Sequence, residues 1–231
     1  MDLARFIQIY IIQGIVCIYF LILGFKIIKR GRKRLNLILS AAYFTAAIGF
    51  IANFIYAPLT EPIIVLALYY VAIYCSFMFP AFILVFVVII YKSEKMFTRF
   101  QQNLVLLTYG ILLFCMVFIP NGVTINESTD WIPVWNIYFA IYLLLLTSLF
   151  GFIPTLYVGF KATKTFENAE LKKKWKYFII GFIGIYLFGL TIIIANAITI
   201  EIVVSICRIT GLILVIISPY LVYYGVGKEL K

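Results

Sequence analysis

The sequence predicts an all-α polytopic membrane protein, a bundle of seven transmembrane helices with the N-terminus outside and the C-terminus cytoplasmic. Three observations carry this reading. First, the 231 residues are 65% hydrophobic and only 12% charged, more apolar surface than a soluble fold of this size can hide. Second, seven apolar runs follow one another at 6–28, 37–56, 63–91, 104–120, 135–160, 177–197 and 202–224, matching the roughly 20 residues that a helix needs to cross a hydrocarbon core of about 30 Å. Third, seventeen of the nineteen Lys and Arg fall in alternate gaps or in the tail. The first gap holds Lys26, Lys29, Arg30, Arg32, Lys33 and Arg34; the third holds Lys92, Lys95 and Arg99. The fifth holds Lys161, Lys164, Lys172, Lys173, Lys174 and Lys176, and the tail holds Lys228 and Lys231. The positive-inside rule assigns these gaps to the cytoplasm.

The first run is longer than a signal-peptide core, and its basic cluster follows it, so it reads as a retained span. In the second run Ala42, Ala46, Gly49 and Asn53 recur at helical spacing. That small face lets neighbouring backbones approach, which places this helix centrally. The third run contains Pro80, the fifth Pro154 and the seventh Pro219. Each proline removes a backbone donor, so three bends are expected. The sixth run carries Gly181, Gly184 and Gly189 as a less regular small face. Trp131 and Trp135 fall at the predicted outer boundary, and Trp175, Tyr91, Tyr177, Tyr223 and Tyr224 at the inner one, positions typical of interfacial aromatic belts.

The gaps 121–134 and 161–176 are too short to carry a core, so residues 1–231 read as one domain. Within the first lies a glycosylation sequon, Asn126-Glu127-Ser128. In the second, Glu170 precedes Lys174 by one helical turn. This segment fits either an extension of the flanking helices or a solvated connection. Cys17, Cys75, Cys115 and Cys207 all lie inside apolar runs and read as small buried residues.

Composition excludes several chemistries. The chain contains no His, hence no His-ligated haem, His-bound zinc or phospho-His within it. No run has an Asp or Glu near its middle, so the carboxylate relay of a proton- or sodium-coupled carrier is missing, and the seventh run lacks a retinal-binding Lys. Without paired carboxylates, a phosphate loop or a base beside a nucleophile, the chain reads as a non-enzyme with no metal or other cofactor. The net charge of +10 sits in short loops beside spans, where it contacts anionic lipid headgroups at the cytoplasmic face; nucleic acid is not an expected partner.

One charge lies well inside a run. Arg208 falls about two turns into the seventh, and Glu201 precedes it by seven residues on a similar face. Two roles fit: a structural ion pair aided by the Ser205 hydroxyl, or an anchor for an anionic or polar small ligand entering from outside. Tyr70 and Tyr74, Tyr138 and Tyr142, and the amides Asn53, Asn136 and Asn196 fall near the same depth. Together with Arg208 and Glu201 they predict an aromatic, amide-lined outer cavity for ligand binding; the alternative is interhelical hydrogen bonding plus an aromatic belt.

The stretch from Leu68-Tyr69-Tyr70 through Phe79-Pro80 to Phe86 and Tyr91, the basic loop before the second run and the closing Tyr223-Tyr224-Gly225 resemble the seven-helix N-terminal sensor regions of archaeal and bacterial membrane histidine kinases. The resemblance implies an N-out receptor whose last helix signals to a cytoplasmic output. This chain departs from that pattern by ending at Lys231 without a dimerisation helix, phosphoacceptor His or ATP-binding domain, so its output would be a separate cytoplasmic signalling protein. Ser218-Pro219 through Tyr223 matches the Asn-Pro-x-x-Tyr element of G-protein-coupled receptors poorly, and no Pro-Gln pair of the small sugar carriers is present. The expectation is therefore a multi-pass sensor of the cell membrane, with a passive small-molecule transporter or a structural or assembly subunit as alternatives.

Overall fold

The computed structural model describes residues 6–93 and 95–227; Lys228 and Lys231 of the basic tail lie outside the described residues. Seven helices are long and apolar enough to cross a membrane: α1 Ile7–Ile28, α2 Arg34–Tyr56, α3 Pro62–Lys92, α4 Arg99–Phe118, α5 Ile137–Thr165, α6 Ala169–Ala197 and α7 Glu201–Val226. The chain is an integral membrane protein built as an all-α seven-helix bundle.

Three helix ends fall four or more residues outside the predicted runs, because local polar chemistry extends helices past their apolar part. α4 starts at a capping box in which Thr98 Oγ1 accepts from the Gln101 amide (3.4 Å) and Gln101 Oε1 from the Thr98 amide (3.0 Å). α5 and α6 both continue into the basic segment, leaving only residues 166–168 between them. Asn168 caps α6 through the Glu170 and Leu171 amides (2.8 and 3.3 Å), and Glu170 pairs with Lys174 at 2.7 Å. Of the two readings of 161–176, helix extension is the one observed.

α2 and α3 form the buried centre, with 56% of their apolar windows inside the bundle against 28–33% for the others. Ala42 and Ala46 are buried, and a Cβ on Gly49 would stand 2.5 Å from Ser76 Oγ and 2.9 Å from the Ala72 carbonyl oxygen. Glycine thus brings the α2 and α3 backbones into contact. The tightest pair is α6 with α7. A Cβ on Gly181 would lie 2.7 Å from both the Ser218 carbonyl oxygen and the Val222 nitrogen, and one on Gly225 2.5 Å from the Phe178 nitrogen.

At the basic end, Gly31 turns the chain between α1 and α2 with φ +141°, a conformation that favours glycine. Its carbonyl accepts from the buried Asn36 amide at 2.9 Å. Arg30 links α1 to α7, with its guanidinium 4.8 Å over the Tyr223 ring and a hydrogen bond to the Tyr223 hydroxyl. At the opposite end, β1 (Val123–Thr124) pairs antiparallel with β2 (Val134–Trp135) in a short hairpin.

Two of the tryptophans depart from the belt reading. Trp135 is buried and donates to the Tyr69 hydroxyl at 2.6 Å. Trp175 is buried, donates to the Gly159 carbonyl at 2.9 Å and stacks on Phe178. Each indole finds a partner in a neighbouring element, which lets it pack inside instead of at a headgroup level. All four cysteines are free thiols.

Candidate functional site

The residues singled out from sequence do not meet. Arg208 and Glu201 are both exposed, and among the described residues neither has a hydrogen bond or ion pair, with each other or with Ser205. The expected pair is therefore not formed. The cause is helical phase: α7 buries Cys207, Gly211, Val215, Ser218 and Val222, and Arg208 stands on the flank of that stripe, facing out of the bundle. Asn53 bonds Gln13 of α1. Asn136 caps α5, accepting from the Phe139 amide at 2.8 Å and donating to the Pro120 and Asn121 carbonyls at 3.1 and 3.0 Å. Asn196 donates to Ile192 within its own helix (2.8 Å). Tyr142 bonds the Leu112 carbonyl of α4, Tyr70 packs on Phe139, and Tyr138 is 73% exposed. Tyr74 lies in a separate groove between α3 and α4. Of these groups Asn53 and Tyr142 bond between helices, Asn136 and Asn196 bond locally, and the outer aromatic cavity is not what the fold builds from them.

A cavity does exist, in the middle of the bundle, with a volume of about 90 Å³. Its walls come from Phe20 of α1, Ala46 and Phe50 of α2, Ser76, Phe77, Phe79 and Pro80 of α3, Thr147 of α5, Ile185, Tyr186, Phe188, Gly189, Leu190 and Ile192 of α6, and Val215 and Pro219 of α7. None of the nine proposed ligand residues lines it. The wall is almost wholly apolar; Ser76, Thr147 and Tyr186 supply its side-chain hydroxyls.

This space arises where two helices lose regularity and a third carries an internal proline. α3 breaks at Met78, because Pro80 has no N–H for the Ser76 carbonyl. The Ala81 amide turns back to the Met78 carbonyl at 3.1 Å, and Tyr109 of α4 donates to the Phe77 carbonyl at 3.1 Å. α5 widens into a π-helical turn at Thr147–Phe152 immediately before Pro154. Hydroxyls bond its carbonyls, with Thr147 on Leu143 (2.7 Å), Ser148 on Leu144 (2.5 Å) and Thr155 on Gly151 (2.6 Å). In α7, Pro219 leaves the Val215 carbonyl without its usual donor, and Tyr43 donates to the Pro219 carbonyl at 2.7 Å. Irregular backbone survives in a membrane only where side chains or a lined cavity support it, and the segments at Met78 and Thr147–Phe152 have such support.

The breaks touch one another. A Cβ on Gly151 would stand 2.8 Å from Pro80 Cβ, so the absent side chain seats the proline of α3 against the π turn of α5. Ser148 shares a hydrogen bond of 2.7 Å with the Tyr186 hydroxyl of α6, and Phe152 stacks on the Tyr186 ring at 3.8 Å. The walls from α3, α5 and α6 are therefore in direct contact. Sequence reasoning marked the three prolines and read Gly189 as part of a packing face, where it instead borders the cavity, and it missed Ser76, Thr147, Ser148 and Tyr186; for the first three the available signal was a hydroxyl residue within about two turns of an intramembrane proline.

Comparison of the chain with protein-family models, with curated proteins and with solved structures finds no match.

Proposed function

We propose that this protein is a membrane receptor for a small, mostly apolar molecule that enters the central cavity and signals through α6 and α7 to a separate protein at the basic end. The observation that supports this reading is the meeting of two helix interruptions, at Met78 of α3 and Thr147–Phe152 of α5, with Pro219 of α7 around one apolar cavity. Apolar cavities of this kind stay dry and take up small apolar molecules. Irregular helices at membrane mid-depth supply the alternative backbone arrangements on which switching depends. The polar or anionic ligand expected from Arg208 has no site here, so the ligand class shifts to compounds that partition into the bilayer. The Arg30–Tyr223 contact joins α1 to the end of α7 and is the place where a change at Pro219 reaches the basic loops. On the positive-inside rule those loops are cytoplasmic, which puts the output in the cytoplasm of a cell-membrane protein.

The test is a distance measurement between spin labels at positions 33 and 172, in a chain whose four cysteines are first replaced by alanine. Apolar extract of the native membrane is expected to shift the distance distribution by several ångströms, on the scale of known helix rearrangements. Unchanged distances with ligand bound would overturn the receptor reading. Downhill flux of the same ligand across sealed proteoliposomes would replace it with passive transport.

A further inference from the structure

We infer that the groove between α3 and α4 at the basic end holds one anionic glycerophospholipid, with an acyl chain along the groove and the phosphate on Arg34. The groove has a volume of about 500 Å³ and is lined by Tyr74, Phe100, Asn103, Leu104, Leu106 and Leu107. It starts at the first turn of α4, and beyond it the Tyr74 hydroxyl lies against Gly110, at which a Cβ would stand only 2.7 Å from that oxygen. From Phe100 to Leu107 the helix rises about 10 Å, against about 15 Å for half of a roughly 30 Å core. The groove therefore runs within one leaflet from the basic end and can seat the upper part of an acyl chain.

Its open end carries a fixed cation. Arg34 reaches from α2 to α4, where Nε donates to Gln102 Oε1 at 2.7 Å and Nη2 donates to Asn103 Oδ1 at 3.0 Å. Gln102 is buried and is itself held by its bond to the Phe97 carbonyl at 2.7 Å. Asn103 belongs to the groove wall, so the guanidinium is anchored at the mouth instead of waving in solvent. Among the described residues no carboxylate pairs with Arg34, and Nη1 has no partner. A preorganised guanidinium with free donors suits a phosphodiester oxygen, and the apolar groove beside it suits the chain attached to that phosphate. Charge complementarity selects an anionic lipid over a zwitterionic one, whose cationic group would meet the surrounding Lys and Arg.

The experiment is native mass spectrometry of the full chain in detergent, titrated with phosphatidylglycerol and phosphatidylcholine of identical acyl chains. The intact protein is expected to retain phosphatidylglycerol at least fivefold better. Arg34→Gln should reduce that preference to near unity. Leu107→Trp, a substitution at a 61% exposed position that fills the groove without burdening the fold, should reduce retention of both lipids. Arg32→Gln, an exposed charge off the groove, should leave the preference intact, and glycerol phosphate alone should not compete. Retained preference in Arg34→Gln, or an equal loss in Arg32→Gln, would overturn the site in favour of diffuse attraction. If Arg34→Gln does not fold, undiminished lipid retention in Leu107→Trp overturns it by itself.

Discussion

Gly181, Gly184 and Gly189 lie within three turns of the same helix, yet they do opposite things. The first two press α6 against α7: a Cβ on Gly181 would meet backbone atoms of Ser218 and Val222 at 2.7 Å, and one on Gly184 would overlap the Ser218 side chain. At Gly189 nothing lies within 4 Å, and the residue lines the cavity. Omitting a side chain creates contact where the partner backbone can follow and space where it cannot. Near Gly181 the facing segment of α7 closes on α6; at Gly189 the surrounding walls include helices interrupted at Met78 and in the π turn of α5. One interface is closely packed, while the region beside it is open to occupation.

The largest effect is expected from Gly181→Leu, because backbone atoms cannot rotate away from the new side chain. It should cost about 3 kcal/mol or more, the upper end of overpacking, and appear as loss of the monodisperse peak and a lower melting temperature. Gly49→Leu should cost somewhat less, about 1–3 kcal/mol, since Ser76 can turn although the Ala72 carbonyl cannot. A smaller penalty, about 1 kcal/mol, is expected for Tyr109→Phe, which removes the hydroxyl bonded to the Phe77 carbonyl beside the break. Gly189→Leu should leave melting unchanged or raise it slightly, because the side chain enters empty space and the helix gains about 0.8 kcal/mol of intrinsic propensity; a fall as large as that of Gly181→Leu would dissolve the contrast between the two regions. The smallest loss belongs to Arg208→Gln, which should leave stability unchanged or raise it, because an unpaired charge on the outward face of a span is itself unfavourable. Glu201→Gln with Arg208→Gln should be additive in a double-mutant cycle, and measured coupling above about 0.5 kcal/mol would restore the ion pair.

The helices were legible because span length is a one-dimensional signal: the apolar run at 6–28 became Ile7–Ile28, and 202–224 became Glu201–Val226. Rotation of each helix about its axis was not. Arg208 and Glu201 share a face, as their spacing says, but which face of α7 meets α6 is set by Gly181, Gly184 and Gly225 contacting specific backbone atoms. No hydropathy pattern carries that information in a membrane, where outward and inward surfaces are both apolar. The cavity escaped for a related reason. Pro80, Pro154 and Pro219 were visible singly, but their convergence depends on tertiary contacts such as Pro80 against Gly151. The intramembrane amides and tyrosines misled by being polar: Asn136 and Tyr142 are consumed by structural bonds, which is where most polar groups in a bundle find their partners.

The most direct test of the central claim, that ligand recognition resides in the mid-bundle cavity, is thermal stabilisation by fractionated apolar membrane extract in three proteins compared side by side: the parent chain, Gly189→Leu and Arg208→Gln. A ligand that binds only the folded state raises its stability by mass action. The parent and Arg208→Gln should be stabilised equally, and Gly189→Leu, with its cavity filled, should show no shift. Stabilisation that persists in Gly189→Leu and vanishes in Arg208→Gln would contradict the account and return the binding site to the outer end of α7.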